Sequence, residues 1–319
     1  MAKNSPSFTI KLLSPRYILA WPLFMVLWLF SQLSYKSLLS VGSCIGTIMY
    51  RFFPKRRYII RTNLSLCFPN KSPTEIEDLV KANMKYLGIG VCDTALAWFG
   101  PKKTTQQLLQ NITYQNEQSL INALKEDKPL LLITPHAASQ ELLSKLLSFR
   151  YKYDPVFRHM NNPVADYLMQ RARAKIYNNP IIKTDTRHIV KRLRNKDTIG
   201  ILPDQDFGRK RSVFVPFFGV PAATSTALSK YKKLTDCNIL ALSYLRNPEQ
   251  DSFKIIFSDK LDIHGHDLEQ DAKVMNTAFE QIILRDISMY FWIARRFKTR
   301  PVGEKKIYDY KFSLFAPSN

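Results

Sequence analysis

The chain has little of several features that mark common protein classes. It contains only 10 glycines in 319 residues and shows no repeat period of the solenoid or propeller kind, which argues against a glycine-built repeat fold. Its cysteines are scattered and form no CxxC pair, so they match no zinc-ligand spacing and are poor evidence for a disulfide framework; they are Cys44, Cys67, Cys92 and Cys237. We therefore expect free thiols in a reducing compartment.

Acidic residues are also scarce. Asp and Glu number 26 against 47 Lys and Arg, which gives a formal net charge of +21. This excess suits nucleic acid, anionic lipid headgroups or an acidic partner protein. No RNA- or DNA-binding motif is present, and a nucleic-acid-binding protein would leave the apolar amino terminus unexplained, so we expect no nucleic acid partner. With 45% hydrophobic residues the chain is able to bury a substantial core.

The amino-terminal stretch from Tyr17 to Leu33 has no charged residue. As a helix it would cover about 25 Å, which is the lower limit for a membrane span. More basic residues follow it than precede it, so a spanning helix would leave the rest of the chain in the cytoplasm. A helix lying in the membrane interface and a buried core helix remain the alternatives. We predict a membrane anchor or interfacial region over residues 1–58.

Short apolar runs and helical patterns alternate over residues 59–310, before a tail at 311–319. Strands are expected at 129–134, 153–157, 198–202, 238–244 and 253–257. Helices are expected at 72–98, 116–125, 163–175, 186–194, 225–234 and 267–285. This alternation predicts an α/β fold, with layers of helices around a largely parallel sheet and one catalytic domain.

Candidate functional side chains follow three of the predicted strands. His136 stands just past the LLLIT run, and Glu141 comes in the same HAASQE segment. Sites in open α/β sheets gather at the carboxyl ends of strands, where a His is able to accept a proton near neutral pH. A strand-to-helix turn would let Glu141 orient the imidazole. Arg158 follows a second strand, and the PDQDFG segment with Asp204 follows a third.

The basic run Arg209-Lys210-Arg211 comes directly after PDQDFG and would suit a phosphate or carboxylate group. Metal binding has one weak candidate, His264-Gly-His266, for which no third ligand of suitable spacing is evident. We therefore predict no metal and no cofactor.

An ordered series of motifs resembles the bacterial lipid A late acyltransferases, the lauroyl/myristoyl transferase family. The similarity runs through RxNLxxCFP from Arg61 to Pro69, HAASQE, FRHMNNP, PDQDFG, SVFVPFFG from Ser212 to Gly219, and ARRFKTRP from Ala294 to Pro301. It spans most of the chain and is highly specific.

The resemblance implies a glycerolipid-acyltransferase-like fold and transfer of a fatty acyl chain from acyl carrier protein to a hydroxyl of a Kdo-bearing lipid A precursor. It places the family at the cytoplasmic face of the cell inner membrane. His136 and Glu141 fall on its His-x4-acid dyad, with His136 as the base. It implies substrate-binding roles for Arg158, Arg173, Asp204 and Gln205. An acyltransferase acting on another phospholipid or glycolipid acceptor remains the alternative.

Overall fold

A computed structural model describes residues 6–177, 180–182, 186–247 and 252–310. The predicted tail at 311–319 lies outside these residues. The apolar amino-terminal stretch forms two helices, α1 (Pro15–Ile18) and α2 (Ala20–Ser31). Pro22 explains the break between them, because it has no N–H to bond the carbonyl of Ile18. Within the described ranges, no helix has both the length and the apolar character needed to cross a membrane.

Three longer helices follow, and α2 packs against the last of them. They are α3 (Tyr35–Phe52), α4 (Pro54–Cys67) and α5 (Pro73–Phe99). The predicted start of α5 is confirmed, since Ser72 and Glu75 form a capping box. Glycine is required where α3 meets α5: a Cβ on Gly88 would lie 2.2 Å from the carbonyl oxygen of Gly42.

The remaining chain alternates strands and helices. The strands are β1 (Ile112–Gln115), β2 (Leu130–Ile133), β3 (Asp154–Phe157), β4 (Ile181–Ile182), β5 (Thr198–Ile201), β6 (Ser212–Phe217), β7 (Val220–Ser225), β8 (Asn238–Asn247) and β9 (Ser252–Lys260). The helices are α6 (Lys102–Gln110), α7 (Glu117–Lys125), α8 (Gln140–Ser148), α9 (Pro163–Arg173), α10 (Thr186–Arg194), α11 (Ala227–Thr235) and α12 (Leu268–Ile283).

Seven of these strands form one sheet in the order β1-β9-β8-β2-β5-β3-β4. All neighbours are parallel except β8 and β9, so the central strands β8, β2, β5, β3 and β4 run the same way. Strands β6 and β7 form a separate antiparallel hairpin that the sequence did not predict. The predicted α/β class and largely parallel sheet are confirmed.

Alternate side chains of the central strands enter two different cores. Leu131 and Ile133 of β2 pack with α4, α10, α11 and α12, while Leu130 and Leu132 pack with α3, α7 and α8. This alternation follows from the two-residue period of a strand and explains why LLLI is apolar throughout. Helices therefore cover both faces of the sheet, and its carboxyl edge is left for polar side chains.

Candidate active site

The central polar pair lies at the carboxyl ends of the neighbouring strands β2 and β5. The register aligns Ile133 with Ile201, and His136 and Asp204 each come three residues later. Because parallel strands end at the same edge, equal offsets bring the two side chains together. The strand-end convergence expected from the sequence is present for these two residues.

The Asp204 carboxylate makes two contacts with His136. One oxygen pairs with the ring Nδ1, and the other accepts the His136 backbone N–H at 3.1 Å. Since a carboxylate only accepts, Nδ1 carries the proton and Nε2 keeps its lone pair. The Asp204 side chain is 2% exposed, whereas the His136 side chain is 26% exposed. The ring is therefore fixed through Nδ1 while part of the side chain stays accessible, as in a protease triad.

Asp204 is ionised at neutral pH despite its burial. Burial alone would raise the pKa of the carboxyl group, but the electrostatic attraction of the His136 ring and its two hydrogen bonds outweigh that effect and hold the pKa below its ordinary value. A charged carboxylate beside Nδ1 stabilises the imidazolium that forms when Nε2 takes a proton.

Glu141 has different partners from those the sequence predicts. Arg173 donates to it from Nε at 2.7 Å and from Nη2 at 2.6 Å, and the indole N–H of Trp98 donates at 3.0 Å. The Arg173 guanidinium also lies over the Phe157 ring, 3.9 Å from its centroid. Both carboxylate oxygens are thus used in joining α8 to α9 and α5. The imidazole-orienting position expected for Glu141 is filled by Asp204.

Trp98 and Tyr290 were not predicted as site residues. Trp98 lies near the end of α5, where no motif distinguishes it from the core aromatics. Tyr290 helps to lower the pKa of the Asp204 carboxyl group, and Phe291 donates its backbone N–H to the His136 carbonyl at 3.0 Å. This second contact holds the turn that carries His136 and is invisible in the sequence because it joins segments more than 150 residues apart.

Arg158 and Gln205 are less directly placed. Arg158 is exposed and bonds Asn161 at 3.3 Å; among the described residues, no hydrogen bond joins it to His136, Glu141 or Asp204. Gln205 is half-buried and adjacent to Asp204. Their substrate-binding roles stay predictions.

A cationic surface continues from Asp204 along the same loop. Asp206 accepts the Thr299 N–H at 2.6 Å and the Thr299 hydroxyl at 2.9 Å, which ties the PDQDFG loop to the KTRP segment. Exposed basic residues lie close to Asp206 and Thr299 in the sequence: Arg209, Lys210, Arg211, Arg295 and Lys298. They form no ion pair with a carboxylate in the part of the chain that the structure describes. We call these five residues the cationic loops.

A small, mostly apolar cavity of about 30 Å³ adjoins the His136 turn. Its lining includes Pro135, His136, Ile282, Ile283 and Met289. The described residues contain no cluster of three His, Cys, Asp or Glu side chains arranged to hold a metal ion. The site therefore offers a base, a buried carboxylate, nearby cations and apolar surface, a combination suited to acyl transfer onto a hydroxyl.

The family model for the bacterial lipid A biosynthesis acyltransferases matches residues 5–299. This chain belongs to that family. It is 32% identical over 302 residues to a lipid A biosynthesis palmitoleoyltransferase of Escherichia coli, covering 94% of this chain and 98% of that protein. It is 31% identical to the lauroyltransferase of the same organism, covering 94% and 98%. A lipid A biosynthesis acyltransferase of Haemophilus influenzae is 30% identical, covering 93% and 95%. The chain is thus a late lipid A acyltransferase, an O-acyltransferase, as the motifs predicted.

Proposed function

We propose that this acyltransferase moves a fatty acyl chain from acyl carrier protein to the hydroxyl of an acyl group on a Kdo-bearing lipid A precursor. The observation that carries the chemistry is the His136–Asp204 pair, which leaves Nε2 basic in a side chain that is 26% exposed at the carboxyl edge of the sheet. The relatives carry the acceptor class, since they are named for lipid A biosynthesis.

The reaction proceeds by proton transfer around a thioester. His136 Nε2 takes the proton of the acceptor hydroxyl while its oxygen attacks the thioester carbonyl carbon. The carbon–sulfur bond then breaks, and the imidazolium returns the proton to the departing thiolate. Arg158 or backbone N–H groups near Ala137 would stabilise the oxyanion. Asp204 holds the tautomer and balances the imidazolium charge, whereas Glu141 and Arg173 hold α8 and α9 together around the site.

We assign the cationic loops to binding the charged end of the acceptor. Phosphates and acidic sugars on the precursor would meet Arg209, Lys210 and Lys298 beside the PDQDFG loop, and arginine is well suited to bidentate phosphate contacts. The net charge of +21 would also draw in the acidic acyl carrier protein, in a salt-dependent way. The small apolar cavity next to the His136 turn has room only for the first atoms of the acyl chain, and we place its start there.

Attachment to the cytoplasmic face of the inner membrane is proposed through α2 lying in the interface. Leu19 is 81% exposed, Leu23 59% and Met25 62%, while Phe52 at the end of α3 is 71% exposed. Exposed apolar surface of this extent marks an interaction site. The basic residues at the start of α4, Lys55, Arg56 and Arg57, are suited to anionic lipid headgroups.

The test is a reconstituted acyl transfer. Purified protein is given lauroyl-, myristoyl- or palmitoleoyl-acyl carrier protein with a Kdo-bearing lipid A precursor, and products are read by mass spectrometry. We expect one added acyl chain with wild type and none with His136→Ala. A preference for a glycerophospholipid acceptor in the same assay would overturn the acceptor assignment, and unchanged turnover in His136→Ala would overturn the base assignment.

A further inference from the structure

A buried ion pair lies directly behind the turn that carries His136. It joins Asp93 of α5 to Arg246 near the end of β8, and the two side chains are 0% and 1% exposed. The Arg246 guanidinium also contacts the Tyr35 hydroxyl and donates to the Ser139 hydroxyl at 2.9 Å. One buried cation thus links α3, α5, β8 and the residue that precedes α8.

Stability alone is a weak reason for such a pair. Removing two charges from water costs as much free energy as their attraction recovers, so apolar residues of similar volume would usually do as well. What apolar residues would not supply is a rigid fork of donors with fixed directions. Two of the fork's partners belong to the core, and the third, Ser139, belongs to the turn between His136 and Glu141.

Ser139 is itself 1% exposed, so its position is tightly defined. The preceding residue is held from the same side, since a Cβ on Gly90 of α5 would lie 2.3 Å from the Ala138 carbonyl oxygen. From the other side, Phe291 holds the His136 carbonyl. A shift of Ser139 would therefore be transmitted along the turn to both His136 and Glu141.

We propose that Asp93 and Arg246 are positioning residues for acyl transfer, acting through the Ser139 hydroxyl on the 136–141 turn. They touch no reacting atom. Their role is to hold the turn at the offset at which Nδ1 of His136 meets Asp204. The kinetic test of this role rests on the proposed function. The effect of Asp93 and Arg246 on the position of the turn does not depend on which substrate is bound.

The principal variant is Ser139→Ala, which removes the linking hydroxyl and leaves the buried pair intact. Arg246→Lys is the companion variant, because a lysine keeps the charge and loses the fork. The matched control is Asp154→Asn, which breaks another buried Asp–Arg pair, with Arg192, at the opposite ends of the strands. For each protein we would measure kcat, KM, the melting temperature and the downfield proton NMR signal of the His136 Nδ1–H.

We expect Ser139→Ala to lower kcat by about 10- to 100-fold with little change in KM, since a misplacement of about 1 Å can cost about 100-fold. The Nδ1–H signal should move or broaden. Asp154→Asn should keep the wild-type kcat and signal even where its melting temperature falls. A wild-type kcat and signal in Ser139→Ala would overturn the proposal, as would an equal kcat loss in Asp154→Asn. If wild type transfers no acyl chain, the proposed function fails, while the NMR comparison still decides the positioning role.

Discussion

Replacing Asp204 with Asn tests the assignment of the imidazole's partner. The substitution keeps the shape of a side chain that is 2% exposed but removes its charge. An amide in this place is able to donate to Nδ1, which would move the ring proton to Nε2 and abolish the base. In the serine protease triad the same change lowers kcat by about 10⁴. We expect a loss of similar size here, which corresponds to about 5 kcal/mol in the barrier.

The matched control is Asp206→Asn, two residues along the same loop. Asp206 bonds Thr299 and the Gly208 N–H and does not touch His136. The Asp206→Asn variant should be less stable than wild type and should keep most of the wild-type kcat per folded molecule. The assay is acyl transfer under saturating donor and acceptor, with the folded fraction determined by circular dichroism.

The same variant has a stability signature. The pKa of Asp204 is lowered in the folded protein, so its ionisation stabilises the fold above the unfolded pKa and that contribution is lost as pH falls through the folded pKa. Asp204→Asn should therefore lose stability at neutral pH and show a shallower decline in acid. Retention of more than about a tenth of wild-type kcat by Asp204→Asn, together with inactivity of Glu141→Gln, would refute the reasoning and return the orienting role to Glu141.

Three further predictions concern groups around the site. Glu141→Gln should lower the free energy of unfolding by about 3 kcal/mol in urea melts, because it leaves the Arg173 guanidinium, whose side chain is 12% exposed, without its carboxylate; Gln118→Glu, on an exposed helix surface, should not. Gly88→Ala should cost about 1–3 kcal/mol by overpacking the α3–α5 contact, and an unchanged melting temperature would contradict that close approach. Burial lowers the pKa of Lys145 to about 8, so folding stability should rise between about pH 8 and 10.5 as the folded protein sheds that proton first. Lys145→Met should be more stable than wild type at pH 7 and lack this rise relative to wild type.

Most of the fold follows from local patterns. The LLLI run of β2 is apolar throughout because both of its faces are covered, and the capping box at Ser72 fixes the start of α5. The expected strand at 198–202 matches β5 (Thr198–Ile201). Such signals depend on residues close together in the sequence, so they can be recognised without knowledge of the tertiary contacts. The β6–β7 hairpin was not predicted because Pro216 and Pro221 lie within its strands and Gly219 in its turn, a composition typical of irregular segments.

The site was only partly accessible to the same reasoning. Strand-end placement brings His136 and Asp204 to one edge, but which carboxylate reaches the ring depends on strand order. Sequence distance favoured Glu141, five residues away, over Asp204, which is 68 residues away and lies on the adjacent strand. The guanidinium that pairs with Glu141 comes from α9. No local signal in the sequence shows that Arg173, and not Arg171, is the partner of Glu141. Pairings across elements are decided by the fold, so motif spacing alone does not reveal them.

The contact between α2 and α5 gives the amino terminus a second significance. Phe24, on the inward side of α2, stacks on Trp98 with ring centroids 6.2 Å apart and planes 26° apart. Trp98 in turn donates to Glu141, which receives Arg173 on its other side. A continuous series of side-chain contacts thus connects the exposed apolar helix α2 to the Glu141 carboxylate. Removing the amino terminus to obtain a more soluble protein would expose Trp98 to solvent. It would also weaken the contacts that run from Trp98 through Glu141 to Arg173. The fluorescence of the Trp98 indole would therefore report whether α2 is packed against α5.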